Sequence, residues 1–317
     1  MIRIEKISSF DAPELRPYAT MRRPVEHETE GIFVAEGEKV VRRLLESHFT
    51  VVSVVFWERW LDDFRPLLEA RSEDITVYLA EKQWLETLTG FTMFQGVLAV
   101  GKIPAPAPLE IILQDAPAPR LLAAVDGLTS SENLGALVRN CAAFNVQALI
   151  VGETSTSPFL RRAVRNSMGA IFQLPVVELG KRFSRHSRTK SHDPEIQVGR
   201  STAFGRSGDL EIGDTGLSRG AGRAVGRTLA DTLRHLRERG VRCIAAHPRG
   251  GKCLYDANFR RDCCVVFGSE GSGISQAVLN SCDEAVEIPM TDQVDSLNVG
   301  AAAAVFLYEV SRQRKAD

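Results

Sequence analysis

Residues 287–313, EIPMTDQVDSLNVGAAAAVFLYEVSRQ, constrain the fold more than any other stretch, because they admit one succession: extended segment, polar loop, long helix. Pro289 has no amide donor and biases Ile288 toward the β region, so Glu-Ile-Pro-Met closes an extended segment. Residues 291–296 are then loop. From Leu297 small and apolar residues run to Leu307, with alanines at 301–304, the strongest helix former. A helix with Ser296 or Asp295 as its N-cap is the simplest reading. Four alanines leave one helix face without bulk, so a second backbone, a cofactor or a partner subunit can come close; an ordinary buried alanine-rich helix is the plainer alternative.

Two similar units precede this one. CCVVF at 263–267 is a buried-strand run, followed by GSEGSG at 268–273 and a helical segment from Ile274. LLAAV at 121–125 is a strand, followed by a polar loop and a helix over 134–144, with Asn133 as its cap and Leu137, Val138 and Cys141 as its buried stripe. Gly135 shares a helical face with Arg139, so a bulky group can lie over that face against the guanidinium.

Three motifs stand in order: Asn133-x-Gly135-x-x-x-Arg139, Phe267-Gly268-Ser269-Glu270-Gly271-x-Gly273, and Ile288-Pro289-Met290 with Ser296-Leu297-Asn298-Val299. Together they resemble the SpoU (TrmH-like) family of RNA ribose 2′-O-methyltransferases. The resemblance implies an α/β fold whose C-terminal SPOUT-type domain is tied in a trefoil knot, an exception to unknotted topology. It implies S-adenosyl-L-methionine as cofactor, surrounded by Gly268, Ile288 and Leu297 largely through their backbone. It implies that Arg139, held by Asn133, acts on the ribose and phosphate, while Glu270, Ser296 and Asn298 shape the pocket. A homodimer is implied as well, the arginine completing the partner's pocket in many relatives. Two positions depart from the family pattern: residues 291–293 (TDQ) lack its usual glycine, and Gly300 stands where serine is common.

A chain of 317 residues has room for two domains. With a formal net charge of −1, RNA binding must rest on local basic patches. The six cysteines show neither a CxxC pair nor matching histidine spacing, which supports reduced buried thiols rather than zinc or disulfides. The N-terminus has no apolar core and no stretch approaches the length of a membrane span, so a cytoplasmic protein is expected.

Residues 1–103 read as a small α/β domain: helices over 36–46 and 59–71, strands over 50–57, 75–80 and 96–103, and a short helix over 81–89. With GIFVAEGEK at 31–39, this region resembles the L30e-like RNA-binding domain that precedes some SpoU enzymes; a generic structural domain is the alternative. Residues 104–119 (PAPAPLEIILQDAPAP) carry five prolines and read as a stiff linker that holds two domains apart. The SpoU-like domain spans 120–317. In it, 157–169 reads as a helix carrying Arg161, Arg162 and Arg165, which can contact RNA or form a solvated face, and 171–177 as a strand. Residues 181–226 lack apolar periodicity, with ten Lys and Arg through Arg227 against five Asp and Glu, and read as a disordered, mildly basic insertion. Beyond them, 228–239 reads as a helix, 241–246 as a strand that the resemblance places beside the cofactor, and 247–251 as a turn.

The function expected is methyl transfer to a ribose 2′-hydroxyl, with ribosomal RNA as substrate first and transfer RNA second. One rival is a catalytically silent RNA-binding protein of the same fold, against which Asn133, Arg139, Glu270, Ser296 and Asn298 all argue. The other is a dinucleotide enzyme. Its case fails because GSEGSG does not have GxGxxG spacing and comes late in the chain.

Overall fold

The computed structural model describes residues 1–89, 96–180, 228–291 and 293–315; the expected insertion at 181–226 lies outside them. The N-terminal half comprises β1 (Ile2–Ile7), α1 (Arg16–Ala19), α2 (Pro24–Glu30), β2 (Ile32–Glu36), α3 (Glu38–Leu45), β3 (Val51–Phe56), α4 (Leu61–Glu69), β4 (Ile75–Ala80), α5 (Lys82–Thr89) and β5 (Val97–Lys102). Its sheet has the order β1-β4-β3-β5-β2, with β1, β4 and β3 parallel and β5 antiparallel to both β3 and β2. Val40, Val41, Leu44 and Leu45 form the buried stripe of α3, the helical periodicity expected of this segment.

Arg71 ties this half together. It donates to the carbonyls of Leu45 (2.9 Å), Ser47 and Phe49 (2.7 Å) and to Glu73, which also accepts from the Val51 amide at 3.0 Å. Partial desolvation pushes the Glu73 carboxyl upward, but the hydrogen bonds from Arg71, Val51 and its own amide outweigh it and hold the pKa at about 2 rather than 4.5. Because the folded value is the depressed one, this contribution to stability is complete above pH 4.5 and is lost as pH falls toward 2. Glu73→Gln flattens the loss of urea stability over that interval; a variant as acid-sensitive as wild type refutes the assignment.

The C-terminal half comprises α6 (Leu109–Asp115), β6 (Leu121–Asp126), α7 (Ser131–Ala143), β7 (Ala148–Val151), α8 (Arg161–Asn166), β8 (Val176–Glu178), α9 (Leu229–Glu238), β9 (Arg242–Ala246), β10 (Cys263–Gly268), α10 (Gln276–Leu279), β11 (Glu284–Val286) and α11 (Val299–Lys315). Among the described residues its six strands are all parallel, in the order β11-β9-β10-β6-β7-β8. Side chains alternate across the sheet. Leu121, Ala123, Val125, Cys263, Val265 and Phe267 pack with α7, α8 and α11, while Leu122, Ala124, Cys264 and Val266 pack with α6, α9 and α10.

Three segments differ from the sequence reading. The proline-flanked linker contains α6, whose Leu109, Ile112 and Leu113 are buried against the second layer, so its apolar spacing outweighed its prolines. The helix expected over 157–169 is confined to α8, and left-handed Met168 and Gly169 close it. Residues 171–177 form a 3-10 turn, Ala170–Phe172, and then β8, rather than one strand.

The halves are not held apart. Phe33 and Phe49 of the first half meet Phe159 and Phe172 of the second with ring centroids 5.3–6.1 Å apart, inside one continuous core. Arg43 donates to the Met168 carbonyl at 2.7 Å. Glu36, only 4% exposed, receives Arg161 on one oxygen and Arg165 (2.7 Å) on the other.

Candidate active site

Parallel α/β sheets bind ligands outside the carboxyl ends of their strands, where successive connections leave on opposite faces. Here β6 and β10 are neighbours, with Asp126 paired to Gly268; β6 leads into α7 on one face and β10 into α10 on the other. The three motifs meet at this crevice.

The Ser130 hydroxyl accepts the Asn133 amide at 3.3 Å, so Ser130, and not Asn133, caps α7. The Asn133 side chain is left to bridge the other two units. Its Nδ2 donates to Glu270, and its Oδ1 accepts from Asn298 Nδ2 at 3.0 Å. Asn298 Oδ1 in turn accepts the Gly300 amide at 2.9 Å, so Asn298 takes the capping role expected of Ser296 or Asp295. One asparagine therefore joins the loop after β10 to the start of α11.

Gly268 ends β10, and the following turn is closed by reciprocal Ser269–Gly273 backbone bonds of 3.1 and 3.0 Å. A Cβ at 268 would strike the Gly273 carbonyl oxygen at 2.5 Å, so this glycine is required by the turn's own backbone. Ile288 is half-buried against the core, and Ser296 and Leu297 are exposed in the loop before α11. Arg139 is exposed and, among the described residues, forms no hydrogen bond or ion pair; the expected bond from Asn133 is absent, because Asn133 is engaged by Glu270 and Asn298. The bulky group that lies over Gly135 is α8. A Cβ there would meet Ala163 O at 2.5 Å and Asn166 Cβ at 2.7 Å, so the glycine admits α8.

Of the three clustered arginines, Arg161 and Arg165 are taken by Glu36, and Arg162 pairs with Glu132 at 3.1 Å. The Glu132 carboxyl lies below its usual value, chiefly through its own backbone amide, with Ser131 and Arg162 adding to the effect. Among the cysteines, burial pushes the Cys263 thiol up to about 11 and Cys282 to about 12, so neither provides a thiolate nucleophile at neutral pH. A cavity of about 200 Å³ lies apart from these motifs, beside Phe49, Pro104 and Phe159.

By its sequence 247–251 is a simple turn. The structure laces it to the strand end below: His247 N to Val286 O at 3.0 Å, Gly250 N to Glu287 Oε2 at 2.9 Å, Glu287 N to Lys252 O at 2.9 Å and Leu254 N to Glu287 O at 2.8 Å. A Cβ on Gly250 would sit 2.5 Å from the Val286 carbonyl carbon and 2.6 Å from Glu287 N. Gly250→Ala therefore forces two backbones apart and costs about 1–3 kcal/mol, read by urea unfolding; a variant as stable as wild type refutes the close crossing. The only signal in the sequence is the glycine pair itself. Asp126 was also overlooked: it is buried at the crevice and its carboxylate accepts the Ser275 amide at 2.7 Å.

The model of the SpoU rRNA methylase family matches residues 120–196 and 221–308, and that of the RNA 2′-O ribose methyltransferase substrate-binding domain matches 34–107. The chain belongs to the SpoU family. It is thus a methyltransferase of RNA, and the gap in the family match falls within the segment expected as an insertion. An uncharacterized tRNA/rRNA methyltransferase of Mycobacterium tuberculosis is 27% identical over 98% of this SpoU chain and 92% of its own length. The SpoU methyltransferase AviRb from Streptomyces viridochromogenes shares the fold at a TM-score of 0.70, with 22% identity over 96% of this chain and 98% of that one. An rRNA methyltransferase from Sinorhizobium meliloti, with AdoMet bound, gives a TM-score of 0.70 with 18% identity over 98% of both chains. Among the described residues no helix of this SpoU protein is long and apolar enough to cross a membrane.

Proposed function

We propose that this chain transfers a methyl group from S-adenosyl-L-methionine to a ribose 2′-hydroxyl of ribosomal RNA. The observation that carries the reading is the Glu270–Asn133–Asn298 junction, which draws three separate strand-loop-helix units onto one crevice. The crevice fits the cofactor: among the described residues the amides of Ile288 and Leu297 carry no hydrogen bond, and Val294 and Leu297 expose apolar side chains in the same loop. Backbone donors at 288 and 297 suit an adenosine, and the apolar side chains suit its ring.

When bound, the cofactor supplies a methyl carbon already activated by its sulfonium. The protein's part is orientation and charge. Asn133 and Asn298 fix the mouth of the crevice. The Arg139 guanidinium stabilises the negative charge that develops on the ribose oxygen as its proton passes to bulk water, and holds a neighbouring phosphate with its two-pronged edge. Because Arg139 is exposed and not bonded to Asn133, we assign it to the pocket of a second copy. The surface available for that copy is built by α7 and α11, which pack through Ala136 and Gly300 and turn Ala301, Val305 and Tyr308 outward. Of the alanine run, Ala301 belongs to this outward face, whereas Ala303 is buried in the core of the chain itself.

The test is transfer from radiolabelled S-adenosylmethionine into ribosomal and transfer RNA lacking their own modifications, followed by nucleoside analysis. Label in a 2′-O-methyl nucleotide of ribosomal RNA is expected. Label confined to transfer RNA shifts the substrate. Cofactor binding absent by calorimetry, with no label, leaves a silent RNA-binding protein.

A further inference from the structure

Several arginines on the outside of the molecule are neutralised by carboxylates: Arg42 by Glu38, Arg161 and Arg165 by Glu36, Arg162 by Glu132. Arg59 is not. It lies in the 3-10 turn Glu58–Trp60 that follows β3, is exposed, and among the described residues forms no ion pair or hydrogen bond. Its neighbour Glu58 is taken by Lys6 at 3.0 Å. Instead, the Arg59 guanidinium carbon stands 4.6 Å from the centroid of the Trp57 ring and 4.8 Å from that of Trp60. Indoles restrict where a guanidinium sits without cancelling its charge, and they leave the N–H donors at its edge available.

Stability alone would account for one arginine resting on one ring. The position of this one points further. Strands β2 and β3 both run antiparallel to β5, so Trp57 emerges at the same sheet end as Glu36. The backbone links are short: Trp57 N to Gly96 O at 3.3 Å and Gly37 N to Val97 O at 2.9 Å. From Glu36 the contacts continue through α8 to Glu132, beside Asn133. Lys39, in the first turn of α3, is a second exposed cation at this end with no ion pair among the described residues. Uncancelled positive charge thus lies on a contact path that ends at the crevice.

We propose that Arg59, oriented by Trp57 and Trp60, anchors a backbone phosphate of the RNA substrate, with Lys39 as a second contact on the same track. This rests on the reading of the chain as an RNA methyltransferase, and the ligand chemistry is a phosphodiester rather than a base edge, so the contact is independent of sequence. The test measures affinity of the full chain for ribosomal RNA against salt. Loss of one phosphate contact lowers the slope of log K against log salt by about 0.7–0.9. Arg59→Ala is expected to show that drop, weakened binding at low salt, and unchanged S-adenosylmethionine binding and unchanged transfer at saturating RNA. Arg59→Lys, which keeps the charge, restores the slope. Lys102→Ala, removing an exposed cation at the opposite end of β5, leaves it unaltered. A wild-type slope in Arg59→Ala, or an equal drop in Lys102→Ala, overturns the anchor while leaving the enzyme reading intact. Absence of RNA binding by the wild type overturns both.

Discussion

Arg139→Ala lowers the rate of methyl transfer by about 10²–10³-fold, the usual cost of removing one group that stabilises developing oxyanion charge. Because Arg139 is exposed and unpaired among the described residues, the substitution leaves unfolding and S-adenosylmethionine affinity at wild-type values. Complementation tells which subunit supplies it. Arg139→Ala and Glu270→Ala chains, each impaired alone, regain activity on mixing if the arginine serves the other copy's crevice, because one of the two crevices is then intact. No recovery from a mixture shown to exchange subunits places arginine and crevice in the same chain. A rate within threefold of wild type for Arg139→Ala removes the arginine from the mechanism altogether.

The second large effect is on stability. Glu36 is almost fully buried and answers two cations, so Glu36→Ala strands Arg161, itself only 14% exposed, beside a void. Breaking a buried pair from one side costs about 3–5 kcal/mol, and the half-exposed Arg165 moves the expectation to the lower end, about 3 kcal/mol. Glu36→Gln retains an acceptor and loses less. Urea unfolding reads both variants. The two halves stay joined in this variant through Phe33 and Phe49 against Phe159 and Phe172 and through Arg43 on the Met168 carbonyl. A variant within about 0.5 kcal/mol of wild type, the range of an ordinary surface change, refutes this role.

The buried strands and amphipathic helices were legible because they obey periods of two and near four: α3, β3, β4, β6 and β10 fall where the sequence places them. β1 was not read. Its six residues, IRIEKI, mix three isoleucines with three charged side chains, two of them adjacent, and form a half-exposed edge strand, a pattern easily taken for surface loop. The composition of 104–119 is misleading: prolines at both ends mask the three apolar residues that anchor α6. Motif residues were found by type and order, but not their connections. That Asn133 bonds Glu270 and Asn298 rather than Arg139, or that Glu36 takes two arginines 125 and 129 residues away, follows only from tertiary proximity. The close crossing at Gly250 is of the same kind, since nothing local distinguishes a glycine in a turn from one beneath another strand.

The docking of the two halves through the Phe33 cluster and Glu36 turns the molecule into a gauge. With both halves in one core, the spacing between Arg59 and the crevice at Asn133 is set by the protein, not by the RNA. Under the proposed anchor, an RNA whose backbone phosphate and target nucleotide already stand at that spacing engages both at no cost, and one that does not must bend or unstack to do so. Discrimination among RNAs then arises from the shape of the folded nucleic acid, even where no base edge is read.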